Sequence, residues 1–249
     1  MVWLSAIIRR VMGFEDANVK NENPVSIFIA KKGDANTQVK LGRLYYEGEG
    51  VPQDYREAEK WYQLAAKQGN AEGQFYLGLM YYNGYSSEHD YMDAMSLFLK
   101  SAEQGYVDAQ IMLGCEYEEE ANDYCAEKWY LSAAKQGDPI AQYRLGQLYE
   151  NEDGLLHDIR ETVKWYRLAA EQGYASAQLS LGLKYGLGKG VAQNVEQAYF
   201  WCLLACTNGD SYIYEHASEI RDIYAKQLNE TQIANIQKEA QAWMDSHND

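Results

Sequence analysis

The sequence predicts an all-α solenoid of stacked antiparallel helix hairpins, on three observations. A Leu-Gly pair recurs at Leu41-Gly42, Leu77-Gly78, Leu113-Gly114, Leu145-Gly146 and Leu181-Gly182, so the glycines step by 36, 36, 32 and 36 residues. A second series, Gly33, Gly69, Gly105, Gly137, Gly173 and Gly209, steps by 36, 36, 32, 36 and 36 and keeps the same register. Apolar residues between the two series recur at helical spacing, as in Ala58, Trp61, Tyr62 and Ala65 at i, i+3, i+4 and i+7. Periods of this length mark repeat architectures, in which each unit buries its apolar face only against its neighbours.

The elements follow in order along one unit. Its first helix carries the Leu-Gly pair and, three residues after the glycine, a tyrosine: Tyr45, Tyr81, Tyr117, Tyr149 and Tyr185. Glycine inside a helix costs about 1 kcal/mol relative to alanine, so the five need a packing reason. Close approach to small residues of the type of Ala58 or Ala65 on the second helix supplies one, with Tyr45 and Trp61 filling the space between successive hairpins. The second helix starts after Asp54, Asp90, Asn122, Asp158 and Asn194, whose side chains accept from free backbone N–H groups. Glu57, Glu161 and Gln197 stand where a capping box needs them, whereas Asp93 is too short to close it as well and Cys125 breaks it. The second glycine series then ends each helix with a left-handed turn.

Residues 25–210 hold the array, beginning with the half unit SIFIAKKGD and continuing through five full hairpins. Before it, residues 1–24 read as an amphipathic capping segment, with Trp3, Ile7 and Val11 at i, i+4, i+8 and Leu4, Ile8 and Met12 beside them. The apolar run Val2 to Ile8 precedes Arg9 and Arg10, the reverse of the order in a secretory signal. After it, residues 211–249 read as a C-terminal helical cap, in which Ile220, Ile223 and Tyr224 offer a stripe to cover the last hairpin and Asn229 with Gln232 opens the final helix.

Composition narrows the partners. Lys+Arg 22 against Asp+Glu 37 gives a net charge of −15, which speaks against nucleic acid or an anionic membrane, because phosphate binding rests on clustered Lys and Arg. A partner protein with a basic surface is the complementary expectation, and solubility is the other use of the same charge. No segment offers the run of about 20 apolar residues that a membrane-spanning helix needs. Cys115, Cys125, Cys202 and Cys206 lack the pattern of a secreted disulfide scaffold, so a cytoplasmic chain is expected. Cys206 stands where Ala66, Ala102, Ala134 and Ala170 stand in other units, which marks it as small buried filler.

Residues 41–69, LGRLYYEGEGVPQDYREAEKWYQLAAKQG, and 181–209, LGLKYGLGKGVAQNVEQAYFWCLLACTNG, resemble the Sel-one-like repeat (SLR), a relative of the tetratricopeptide repeat. The longer inter-helix loop G-x-G-V-x-x-[DN], at 48–54 and 188–194, separates it from the 34-residue tetratricopeptide unit. Other units depart from the pattern: NGYSSEHD and Leu97 in the second, EEEAN in a third that is four residues short, and NEDGLLHD in the fourth, so these loops should differ in shape. The resemblance implies a right-handed α/α superhelix with first helices lining its concave face, and adaptor or scaffold binding to another protein, the monomer being the expected state. It also implies an alternative, a bacterial immunity protein neutralising a secreted toxin, although many such relatives carry export signals. Some cysteine-rich relatives have been linked to penicillin binding, which makes a hydrolase or penicillin-binding activity a remote third reading.

Chemistry-bearing motifs are few. Ser132-Ala-Ala-Lys135 matches the S-x-x-K of serine β-lactamases, but no S-D-N or K-T-G partner occurs and Ser132 aligns with Leu64 and Leu168. His89, His157, His216 and His247 read as solvated residues, and the run Glu116, Glu118, Glu119, Glu120 lacks the spaced oxygen ligands of a calcium loop. No catalytic residue, cofactor, metal or small-molecule substrate is therefore expected. Partner binding is expected at positions two before and one after each motif glycine, which should point outward: Lys40, Arg43, Tyr76, Leu79, Met112, Arg144 and Gln147, with Tyr76, Leu79 and Met112 as an apolar centre between Arg43 and Arg144.

Overall fold

Short polar side chains start most of the helices. The computed structural model describes residues 33–86 and 90–247, which divide into two compact units, 1–120 and 121–249. In the first unit Asp34 caps α1 (Ala35–Glu47), Asp54 caps α2 (Tyr55–Lys67), Asn70 caps α3 (Ala71–Tyr82) and Asp90 caps α4 (Tyr91–Glu103), each accepting from backbone N–H groups; α5 (Val107–Glu119) closes the unit. In the second, Asn122 caps α6 (Asp123–Lys135), Asp138 caps α7 (Pro139–Glu150) and Asp158 caps α8 (Ile159–Glu171). There follow α9 (Ala175–Leu187), α10 (Val195–Asn208) behind Asn194, α11 (Ser211–Ala225) behind Asp210, and α12 (Glu230–His247). No strand occurs among the described residues. The segment expected at 1–24, the half unit through residue 32 and His89 lie outside them.

Helices pair in series, α1 with α2 and α3 with α4, then α7 with α8 and α9 with α10. The motif glycine makes each pairing possible, though not through small residues as the sequence suggests. A Cβ on Gly42 would stand 2.5 Å from the Tyr62 ring, one on Gly146 2.5 Å from Tyr166, and one on Gly78 2.8 Å from Phe98. Glycine thus makes room for an aromatic ring of the second helix. Burying such a ring contributes more than the helix propensity that glycine forfeits. Tyr62 stacks in turn on Tyr76 of the next hairpin and Tyr166 on Tyr143 of its own hairpin, both with 5.3 Å between centroids, so equivalent rings find different partners in the two units. Trp61 clusters with Leu41 and Leu44 of its own hairpin, with Tyr45 and Val51 against it.

A second device joins consecutive hairpins. Four residues before each motif glycine stands a glutamine, Gln38, Gln74, Gln110, Gln142 or Gln178, and all five are buried. Their amides donate backwards to the last turn of the preceding second helix: Gln110 to Ala102 O (3.0 Å), Gln142 to Ala134 O (3.3 Å) and Gln178 to Ala170 O (3.1 Å). Their carbonyls accept from the end of the following second helix, Gln38 from Gln68 (2.8 Å), Gln74 from Gln104 (2.7 Å) and Gln142 from Gln172 (2.8 Å). Ala102 O, Ala134 O and Ala170 O also accept from the N–H of the glycine after each helix, Gly105, Gly137 and Gly173 at 3.0 Å, so the glutamine adds a second bond to a helix end and ties it to the next hairpin.

Capping departs from expectation in two respects: Gly209 is extended, at φ −86°, where the sequence predicts a left-handed turn, and the capping box falls elsewhere. The box closes at Asp90, where the Asp93 carboxylate accepts from the Asp90 N–H at 3.4 Å, while Glu57 and Glu161 engage Lys60 and Lys164. Loops 48–54 and 188–194 have the same form, with Gln53 donating to Tyr46 O and Gln193 to Gly186 O, both at 2.8 Å. At the shortened third repeat the turn instead passes through Ala121 at φ 56°.

The C-terminal helices behave as a cap. Ile220 and Tyr224 of α11 join the core built by Tyr199, Trp201 and Leu204, and Gly186 leaves room for the Tyr224 hydroxyl. Ile223, expected in the same stripe, is exposed; one residue before Tyr224, it is turned about 100° around the helix axis from that side chain. Asn229 and Gln232 exchange bonds of 2.9 and 3.0 Å as a closed capping box. Helix α12 then lies on α10, with Gln232 donating to Glu196 (2.6 Å) and Gln237 to Tyr199 (3.4 Å).

Candidate partner-binding face

The seven residues expected to face a partner fall into two groups. Tyr76 (5% exposed), Leu79 (2%), Met112 (0%) and Arg144 (9%) are buried, which corrects the expected apolar centre; Lys40 is exposed, and Arg43 and Gln147 are partly so. The cause is visible in α3, where every residue from Gly73 to Tyr81 is buried. A helix that is apolar on all sides belongs inside. FYLGLMYY carries that signal, and a rule based on distance from the glycine overlooks it.

Charged and phenolic groups frame the first-helix face of unit 1. The Arg43 guanidinium lies 6.0 Å from the Tyr76 ring centroid and 3.5 Å from Glu47. Glu72, in the first turn of α3, stands near it, and Asp108, in the first turn of α5, stands near Glu72. Burial, reinforced by Asp108, pushes the Glu72 carboxyl above the usual range against the pull of Arg43 and Lys40. Burial also raises the Tyr76 and Tyr106 phenols, which stay neutral donors. The face can therefore offer hydrogen bonds and both signs of charge.

On unit 2 the corresponding face sets hydroxyl and amide groups beside Arg144, whose charge acts on Tyr143 and Tyr174. Gln147 donates to the Tyr143 hydroxyl at 3.3 Å, and Tyr174, Ser176 and Ser180 surround Tyr143. Burial raises the Tyr143 phenol, with a bond to Ser180 opposing it.

Two buried charges escaped the sequence reading. Glu116 accepts from Tyr82 (2.9 Å) and Tyr91 (2.8 Å), and Lys184 pairs with Glu150, which also accepts from Tyr166. Both stand two residues after a motif glycine, where other repeats have Leu44, Met80 and Leu148. A charged residue in that apolar column was the available signal.

The remaining motifs are placed as follows. Ser132 is half-buried within α6 and Lys135 is exposed in its last turn; His157, His216 and His247 are exposed. Cys202 and Cys206 are buried, and burial pushes the Cys202 thiol up to about 12. Among the described residues no group of three or more His, Cys, Asp or Glu is placed to hold a metal ion, and no helix is long and apolar enough to cross a membrane.

Known proteins share this pattern. The Sel1 repeat model matches residues 35–70, 71–106, 107–138, 139–174 and 175–210. Among solved structures, a protective antigen with an SLR fold, present in uropathogenic Escherichia coli strains, is 31% identical with a TM-score of 0.78 over 90% of this chain and 48% of its own. This chain thus spans about half the length of that relative. A Sel1 repeat protein from Oxalobacter formigenes is 27% identical, with a TM-score of 0.70 over 89% of this chain and 93% of its own. An immunity protein from Pseudomonas aeruginosa shares the fold at 20% identity, with a TM-score of 0.51 over 83% of this chain and 82% of its own. No curated protein matches.

Proposed function

Because this chain belongs to the Sel1 repeat family, we propose that it is a non-catalytic scaffold that binds a partner protein through the first-helix face of unit 1. Sel1 repeat proteins are typically protein-interaction scaffolds. The observation that carries the location is the ring of accessible charge, Lys40, Arg43, Glu72 and Asp108, around the buried Tyr76 and the half-buried Tyr106. Rigid aromatics with satisfied neighbours give such a face shape, and the charges give it selectivity. The net charge of −15 favours a partner with a basic surface. Toxin neutralisation is a special case of the same role, and its support is a likeness of fold.

Affinity capture from the source cells tests this, with wild type and the Glu72→Lys/Asp108→Lys variant run in parallel. A partner held by wild type and lost by the variant is expected, with the loss confirmed by calorimetry. Equal recovery on both would move the site elsewhere.

A further inference from the structure

With Tyr76, Leu79 and Met112 buried, large apolar side chains available to a partner must be sought elsewhere, and α11 carries three: Tyr212 (67% exposed), Tyr214 (53%) and Ile223 (55%). The reason for their exposure lies in the register. In α3 the residues facing the second helix are Phe75, Gly78 and Tyr82, all against Phe98. Four repeats on, the same places in α11 are held by Glu215, Ser218 and Asp222. Helix α11 is therefore the first helix of a sixth hairpin, but the helix after it packs on α10 instead. The place of a second helix beside α11 is not taken by any described helix.

We propose that this place is a docking site for a basic amphipathic helix of another protein, which would complete the sixth hairpin. Its floor is acidic and small, Glu215, Ser218 and Asp222, the last paired with the neighbouring Arg221 at 2.7 Å, so Glu215 and Glu219 are the carboxylates that a cationic stripe would meet. Successive residues of a helix are separated by about 100°, which sets Tyr214 on one side of that floor and Tyr212, Glu219 and Ile223 on the other. Apolar side chains flanking the incoming cations would reach these rims. A helix fits because the register reserves a helix's place, and a basic one fits because the floor and one rim carry Glu215, Glu219 and Asp222. Two copies of this chain would oppose like charges across the same face, which disfavours self-association there. The site is separate from the first-helix face of unit 1.

The test uses the full chain and a labelled peptide of Leu and Lys, about 18 residues long so that it can form a helix, with Lys at i, i+3, i+4 and i+7 and Leu on both sides of that stripe, followed by fluorescence anisotropy. Binding is expected, with the corresponding Leu-Glu peptide inert. The Tyr212→Ser/Ile223→Ser variant should weaken it at least about tenfold, as loss of apolar anchors does. The Glu215→Gln/Glu219→Gln variant should flatten its salt dependence. All four side chains are exposed, so the thermal melt checks that the fold is unchanged. Glu118→Gln/Glu119→Gln/Glu120→Gln is the control and should bind within about twofold of wild type. Absence of binding, wild-type affinity in the α11 variants, or an equal loss in the control would overturn the proposal. The Glu72→Lys/Asp108→Lys variant should retain the peptide, so this site and the first-helix face stand or fall separately.

Discussion

Unit 1 and unit 2 each bury one charge in the same repeat slot, and the charges are opposite. Glu116 in unit 1 is held by the phenols of Tyr82 and Tyr91; Lys184 in unit 2 is held by the carboxylate of Glu150. In both, the residue four after a motif glycine reaches the residue two after the next one, Tyr82 to Glu116 and Glu150 to Lys184. The slot therefore accepts either sign, provided the preceding repeat supplies the complement. What differs is the state of the complement once the charge is gone. Phenols are neutral and can also accept a hydrogen bond, whereas Glu150 keeps its charge, although at 40% side-chain exposure it can hydrate.

The comparison needs equivalent frames, and the largest expected effect tests that. Trp61 and Trp165 occupy the same repeat position, are equally buried, and leave their indole N–H groups without an acceptor, so packing dominates their worth, with Lys164, 5.0 Å from the Trp165 ring, a small addition. Trp61→Ala and Trp165→Ala should each cost about 3–5 kcal/mol in denaturant unfolding. A marked difference between them would mean that the two units cannot be compared slot for slot.

Charge reversal comes next. Lys184→Glu sets a second carboxylate against Glu150 and should cost about 3 kcal/mol at neutral pH, whereas Glu116→Lys meets phenols able to accept from the ammonium and should cost about 1–2 kcal/mol. Equal costs would show that burial of the charge, and not its complement, dominates the slot.

The smallest effect concerns pH. Glu72 binds its proton more tightly in the folded chain than its ordinary value of 4.5 implies, because of burial and Asp108. With a folded value above the unfolded one, its favourable contribution is full below the ordinary value and is lost as pH rises through the folded one. Glu72→Gln should therefore melt slightly higher than wild type at about pH 7 and relatively lower, or level with it, at about pH 4. A higher melting point at acid pH alone would reverse the sign assigned here.

Helices and their order were legible because caps, turn glycines and apolar spacing act locally: Asp54, Asp158 and Asn194 start helices as their chemistry requires. The exposed face of the first helices was not legible, because exposure depends on how many neighbours a helix has. Lys40 and Arg43 kept access on α1, while Tyr76 and Met112 lost it on helices that are buried nearly all round. Nor does a charge imply a surface, as Glu116 and Lys184 show. The glutamine column was present in every unit, yet its meaning required knowing that a helix end lies opposite.

That column also indicates where this chain can tolerate a change of length. Gln110 and Gln142 each reach back eight residues, to Ala102 and Ala134, on either side of a repeat that is four residues short. The missing residues come from the loop inside the repeat, which the ladder does not span. Insertions and deletions there leave the bonds untouched, whereas a single residue added between Ala134 and Gln142 would shift the amide away from the carbonyl it closes. The molecule is thus free to vary along its inter-helix loops and fixed in length at its turns, so new specificity can arise on one edge without any change in how the repeats are joined.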